Sequence, residues 1–588
     1  MNRIFSLVVL IAFLSVVHVY SQDLKPFQLQ KDAVENYIKT KGELYFRFQS
    51  ASRNEIDNLS RIISIDRVVP KVIYYEIFAY ASPEEFMQFA KRNISFELLK
   101  HPGDGNNYKT SDNINEILAW DTYPTYPGYV TMMNNFASTY PNLCKIVNAG
   151  TTVQNRQLLF AVISDSVNFR KPKPRFMYSS TIHGDETTGY VLMLRLIDTL
   201  LSGYGNNAVI TNLVKNCEIW INPNANPDGT YYGGDLTVNN ARRTNYNGKD
   251  LNRNFPDPVA GPNPTGTWQP ETIAMMNLFT QFNFTLSMNF HGGAEVFNYP
   301  WDCKAPLHPD DAWWIKLGRR YVDTVHAYSP STYMDDLLSS YPNIPGITNG
   351  YAWYIVAGGR QDYMTYFKGG REVTLEISNT HLLPPAQLPA HWTYNFKSFL
   401  NYIKETLYGI RGVVTDSVTN QPLKSKIYVS GQNDTTWIYS DSICGDYHRM
   451  IAAGTYSLIF TAPNYYTKTV SGIRAAYDST TILNVKLRSS ITSLGNNPEL
   501  ISGFNLYQNY PNPFNPETRI KFDVNEKSFV TLKIYNSAGQ EIQTLINSRL
   551  ERGTYETNWN ARNLPSGVYF CSLKAGLYKN VIKMLYIK

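Results

Sequence analysis

Two histidines, each closing an apolar run, constrain this chain more tightly than any other feature. Thr181-Ile182-His183-Gly184-Asp185-Glu186 follows the run Phe176 to Ser180 and precedes the helix-like stretch Gly189 to Leu201. Phe290-His291-Gly292-Gly293 follows the strand-like stretch Thr285 to Asn289. A histidine and a carboxylate three residues apart at a strand end can turn toward one point. A third ligand from a distant strand end then completes a zinc site that keeps a position open for water. His183, Glu186 and His291 are therefore the expected ligands of one Zn2+ per catalytic unit, and the fold must bring three separated positions together. His-x-x-Glu alone is common by chance, so the neighbouring sequence has to carry the assignment.

That neighbouring sequence reads as alternating strands and helices. Tyr129 to Tyr140 has a helical pattern, and Cys144 to Gly150, Leu158 to Ser164, Phe176 to Ser180 and Glu218 to Asn222 have strand patterns. This spacing predicts a mixed α/β sheet with helices on both faces. Between the ligands lie Ala241-Arg242-Arg243-Thr244-Asn245 and Gly248-Lys249-Asp250-Leu251-Asn252-Arg253-Asn254-Phe255-Pro256. Guanidinium groups bind carboxylates bidentately and stabilise oxyanions, which suits a substrate with a free carboxylate and a tetrahedral intermediate. Val373-Thr374-Leu375-Glu376-Ile377 sets a carboxylate inside an apolar strand, with Thr374 and Glu376 on one face. A buried lone glutamate is costly without a partner, and a water activated by the metal is a suitable one.

These motifs, together with Pro227-Asp228-Gly229, Asn298-Tyr299-Pro300-Trp301-Asp302 and Ala357-Gly358-Gly359-Arg360-Gln361-Asp362, stand in the order found in zinc metallocarboxypeptidases. The resemblance covers roughly residues 118 to 408 and is nearest to the regulatory branch containing carboxypeptidases N, E, M and D. It implies zinc binding by His183, Glu186 and His291, with Glu376 as the general base and acid. It further implies Arg243 as the oxyanion partner, and Asn252, Arg253 and Tyr354 as the holders of the substrate's terminal carboxylate. Arg242 is the neighbouring alternative to Arg243, which the nine-residue separation from Asn252 favours. Tyr354 is preferred over Tyr351 and Tyr366 for its seven-residue separation from Gln361. Asp302 and Gln361 match positions lining the specificity pocket, and a carboxylate there favours a C-terminal Lys or Arg. The implied partners are peptide or protein C-termini. The competing readings are a catalytically silent binding protein of the same fold and a zinc deacylase or peptidoglycan-trimming peptidase.

At 588 residues the chain is multidomain. Residues 1 to 21, with Asn2-Arg3 ahead of the apolar run Ile4 to Val17, read as a signal peptide. Residues 22 to 110 read as a small α/β unit, either a pro-segment or an accessory domain. Its expected elements are strands at 43–48, 72–80 and 96–99 and helices at 55–63 and 83–92. The catalytic domain is expected over 115–408. Residues 409–487 and 504–588 read as two small all-β sandwiches joined by a Ser-, Asn- and Gly-rich linker at 488–503. The first resembles the regulatory branch's transthyretin-like domain. The second, with Asn509-Tyr-Pro-Asn-Pro-Phe-Asn-Pro516 and Leu564-Pro-Ser-Gly-Val-Tyr569, resembles the type A sorting domain of the bacterial type IX secretion system. That implies contact with the secretion machinery and a secreted or surface-attached product reached through the periplasm. A net charge of +6 without a dense basic patch gives no support to nucleic-acid binding. No transmembrane segment is expected in the mature protein. Five scattered cysteines do not form a disulfide scaffold, although pairing of Cys217 with Cys144 or Cys303 stays open.

Overall fold

The computed structural model describes residues 24–432, 436–490, 492–493 and 503–588. The expected signal peptide and most of the expected linker lie outside the described residues. Thr492–Ser493, inside that linker, pairs with Gly553–Asn560 as a short strand.

The N-terminal unit is a four-stranded antiparallel sheet. Its strands are β1 (Leu44–Ser50), β2 (Ser64–Pro70), β3 (Tyr75–Ala81) and β4 (Phe96–Leu98), in spatial order β2-β3-β1-β4. Helices Lys31–Lys41, Arg53–Leu59 and Pro83–Ala90 accompany it. The last starts with a full capping box, Ser82 and Glu85 each satisfying the other's backbone N–H. Neither β2 nor the first helix is among the elements expected from sequence. The polar residues of Ser64-Ile-Asp-Arg-Val-Val-Pro70 hide the strand because they bind a neighbouring surface rather than solvent.

A short parallel pair, β5 (Thr110–Ser111) and β6 (Tyr123–Pro124), leads into the central sheet. Its eight strands are β7 (Cys144–Thr151), β8 (Gln157–Ile163), β9 (Arg175–Ser180), β10 (Glu218–Asn222), β11 (Leu286–His291), β12 (Ala294–Tyr299), β13 (Ile347–Asn349) and β14 (Glu372–Ser378). They run in the order β13-β12-β14-β11-β9-β10-β8-β7. The four strands β14, β11, β9 and β10 are parallel neighbours, while β12, β8 and β7 join antiparallel, so the sheet is mixed.

Both faces are covered, and the strand alternation shows it. Leu159, Ala161, Phe176 and Tyr178 pack with helices Tyr126–Thr139, Thr188–Gly203, Ala208–Asn216, Asp311–His326 and Leu388–Glu405. Phe160, Val162 and Met177, one residue out of phase, pack instead with Pro270–Gln281 and Arg360–Phe367. Because both faces are buried, these strands read as continuous apolar runs.

Beyond residue 408 the chain is β-rich. Strands between Gly409 and Leu487 form two four-stranded sheets over one apolar cluster that includes Ile410, Val414, Ile427 and Phe460. Strands between Thr492 and Tyr586 form two more, around Phe522, Leu532, Trp559 and Leu573. All five cysteines are free thiols, so the disulfides left open by the sequence are not formed. Among the described residues no helix is long and apolar enough to cross a membrane.

Candidate metal centre and substrate pocket

The parallel centre of the sheet delivers the expected ligands to one point. His183 follows the C-terminal end of β9, and His291 is the last residue of β11. The turn between His183 and Glu186 is tight: a Cβ on Gly184 would lie 2.3 Å from the Gly229 backbone, so only glycine fits. Within it, the His183 and His291 Nδ1 atoms stand 3.1 Å apart. The Glu186 carboxylate bridges them, with Oε1 2.8 Å from His183 Nδ1 and Oε2 2.8 Å from His291 Nδ1. Burial pushes His291 down to about 4, so its imidazole is neutral at ordinary pH, the form that ligates metals.

Two imidazole nitrogens and a carboxylate, all buried and converging, form a donor set that fits Zn2+. The outward nitrogen of His183, Nε2, is 3.0 Å from Asp250 Oδ1. Asp250 also caps the turn Leu251–Arg253 through the Asn252 N–H. That places Asn252 and Arg253 beside the ligands. The register of β11 against β14 sets Glu376 directly opposite His291. Glu376 Oε2 is buried without a hydrogen-bond partner. Burial, with the negative charges of Glu186 and Asp66 nearby, holds its carboxyl well above the usual carboxylate range.

Arg243 reaches the same point, donating from Nη1 to Glu186 Oε1 at 2.9 Å and from Nε to Asp250 Oδ2 at 3.3 Å. Arg242 turns away, its guanidinium lying 4.1 Å over the Tyr232 ring. Across the pocket, Asp302 Oδ1 accepts from Gln361 Nε2 at 2.9 Å and from Asn298 Nδ2 at 3.1 Å. No basic side chain pairs with Asp302 among the described residues. Burial and the neighbouring Asp362 keep its carboxyl well above the usual range. Thus His183, Glu186, His291, Arg243, Asn252, Arg253, Tyr354, Asp302 and Glu376 line one pocket. Gln361 joins it through Asp302 and accepts from the Thr374 N–H at 2.6 Å.

None of these ten residues is more than 8% exposed, and the N-terminal unit packs over the Arg243, Arg253 and Tyr354 side of the pocket. The Tyr354 hydroxyl and Arg253 Nη2 both donate to the Ile65 carbonyl of β2, at 3.2 and 3.5 Å. Ser64 Oγ donates to Asp250 and accepts from Arg243 Nε at 3.0 Å. Asp66 pairs with His381 at 2.8 Å, accepts from the Tyr45 hydroxyl at 3.0 Å and lies 3.9 Å from Arg243 Nη1. Glu43 accepts from the backbone N–H groups of Arg243 and Thr244 at 2.8 and 3.1 Å. Sequence reasoning assigned no role to Ile65, Asp66, Asp250 or Asn289. The signal for Asp250 was its place two residues before Asn252. For Asn289 it was period two, which puts it on the His291 face.

Residues 129–398 match the family model described as zinc carboxypeptidase, and residues 508–588 match a secretion system C-terminal sorting domain. The chain is 33% identical over 356 residues to carboxypeptidase D of Rattus norvegicus, covering 58% of this chain and 25% of that protein. It is 34% identical over 362 residues to carboxypeptidase M of Mus musculus, covering 59% and 80% respectively. To the carboxypeptidase N catalytic chain of Homo sapiens it is 31% identical over 406 residues, covering 62% and 86%. It therefore spans about a quarter of the length of the carboxypeptidase D relatives.

Proposed function

Because the chain belongs to the zinc carboxypeptidase family, we propose that it is a secreted or cell-surface enzyme removing the C-terminal residue of peptides, with preference for Lys or Arg. The observation that carries the reading is the meeting of three buried ligating groups with an unpartnered glutamate and a carboxylate-binding arginine. Zinc held by His183, Glu186 and His291 would lower the pKa of a water molecule and polarise the scissile carbonyl.

Each remaining step falls to a side chain of this chain. Glu376, opposite His291, accepts the proton from the attacking water and returns it to the leaving amine. Arg243 offers its guanidinium to the oxygen that gains charge in the tetrahedral intermediate. Asn252, Arg253 and Tyr354 hold the terminal carboxylate, which excludes internal peptide bonds. Asp302, buried and in no ion pair among the described residues, supports the Lys or Arg preference. A basic side chain entering the pocket supplies the counter-charge that burial otherwise makes costly to omit.

The N-terminal unit reads as a latency device in the structure's capped form, with the Ile65 carbonyl occupying the carboxylate-binding pair Tyr354 and Arg253. The unit at 409–487 reads as the transthyretin-like accessory sandwich. The sorting tail supports export by type IX machinery to the cell surface or beyond.

The test is release of C-terminal Arg from a short peptide by zinc-loaded protein freed of residues 22–110, with and without chelator. Chelator-sensitive release is expected. No release from any peptide with C-terminal Arg, Phe or Glu would return the site to a silent binding protein.

A further inference from the structure

His291 has two ring nitrogens with opposite duties, and the structure leaves one of them without a settled partner. Nδ1 faces Glu186 Oε2 at 2.8 Å and His183 Nδ1 at 3.1 Å, on the side where the three ligands converge. Nε2 points the other way, 2.7 Å from the side-chain amide of Asn289. In the orientation present, the amide nitrogen faces Nε2 and the buried Asn289 Oδ1 has no partner.

A nitrogen that ligates a metal must carry its lone pair, so the ring proton of a ligating His291 has to sit on Nε2. An Nε2–H needs an acceptor, and an amide NH2 cannot supply one. A half-turn of the amide exchanges its nitrogen and oxygen at almost no steric cost, the two being nearly equal in size. It then brings the unpartnered oxygen to Nε2 at the same short distance.

We infer that Asn289 is a positioning residue for the metal centre, its amide oxygen accepting the His291 Nε2–H and fixing Nδ1 as the ligating atom. This rests on the zinc-site reading above and adds to it the residue that sets one ligand's tautomer. The placement is built into the sheet. Asn289 and His291 are two apart on β11 and share a face, and β11 is clamped between the parallel strands β9 and β14. His183 has the equivalent arrangement, with Asp250 Oδ1 on its outward nitrogen at 3.0 Å. Each histidine therefore has one acceptor behind it, one a carboxylate and the other an amide.

The test is zinc affinity of the full chain, by equilibrium competition with a chelator of known strength, for wild type, Asn289→Leu and Asn289→Asp. Leucine keeps the γ-branched shape and removes the acceptor, so zinc affinity should fall about 10–100-fold. Aspartate is acceptor-only and should bind zinc at least as tightly as wild type. If Asn289 merely filled space, the leucine variant, of the same γ-branched shape, would bind zinc nearly as wild type does. A leucine variant with wild-type zinc affinity, or an aspartate variant as weak as leucine, overturns the assignment. Should the leucine variant fail to fold, the comparison of aspartate with Asn289→Ala decides by the same criterion. Wild-type protein that took up no zinc would instead sink the metal reading itself.

Discussion

The Tyr354 hydroxyl donates a hydrogen bond to the Ile65 carbonyl at 3.2 Å, joining residues 289 positions apart across the boundary between the N-terminal unit and the catalytic sheet. Arg253 donates to the same oxygen. A backbone carbonyl of the chain thus takes the groups proposed to receive a substrate's terminal carboxylate. Ser64 and Asp66, flanking it, hold Asp250 and His381.

Loosening this seat should raise the activity of the full-length protein. Ser64→Ala with Asp66→Ala removes hydrogen bonds to charged partners worth about 1.5–3 kcal/mol each. The uncapped fraction rises accordingly, and cleavage of a peptide ending in Arg should speed up at least about tenfold. An unchanged rate in the double variant, with wild-type folding, would mean the unit is not a latency device.

Glu376 is the proton carrier in the proposed reaction, whereas the three ligands lie elsewhere. Glu376→Gln keeps the shape and removes the base, so kcat should fall about 10^2–10^4-fold. Zinc content, measured on the purified variant, should stay at the wild-type level. A variant that keeps most of its activity assigns the proton transfer to another group.

Asp302 separates substrate charge from substrate binding in general. Asp302→Ala should lower kcat/KM for C-terminal Arg about 10–150-fold, the equivalent of a charged hydrogen bond worth about 1.5–3 kcal/mol. For C-terminal Leu the change should be small or favourable. A parallel loss on both substrates would show that Asp302 only maintains the pocket's shape.

Much of the centre was legible because its residues sit at strand ends, where short motifs such as His183-Gly-Asp-Glu186 carry the geometry within a few positions. Glu376 was legible as a charge inside an apolar strand. Arg243 was separable from Arg242 only by its distance along the chain from Asn252, and the structure turns Arg242 onto Tyr232. The cap's contacts were not legible. Ser64, Ile65 and Asp66 form an unremarkable short strand, and their partners at 243, 250, 253, 354 and 381 are chosen by tertiary docking, which leaves no local pattern. β2 escaped notice for the same reason: its polar residues face a protein surface, so the usual period-two contrast is blurred.

The capped fold should weaken in acid, and Glu43 identifies one place where it does. Burial by itself would raise this carboxyl, but the His101 hydrogen bond and charge, with Arg242 and Thr244, bring it down to about 2 from an ordinary 4.5. A carboxylate depressed in the folded state stabilises the fold fully above pH 4.5, and that contribution is lost as pH falls from 4.5 toward 2. Part of this stabilisation is internal to the N-terminal unit, through His101, and part joins it to the catalytic domain, through Arg242 and Thr244. Glu43→Gln removes the titration and, like the protonated carboxyl, keeps one carbonyl oxygen, which can accept from either the Arg243 or the Thr244 N–H, the two meeting different oxygens of Glu43. Thermal melts of wild type and Glu43→Gln should therefore differ by several degrees at pH 6 and converge as pH approaches 2. Because other carboxylates titrate equally in both proteins, the difference isolates Glu43. A gap that stayed constant from pH 6 to 2 would assign the stabilisation to packing around residue 43 rather than to its charge.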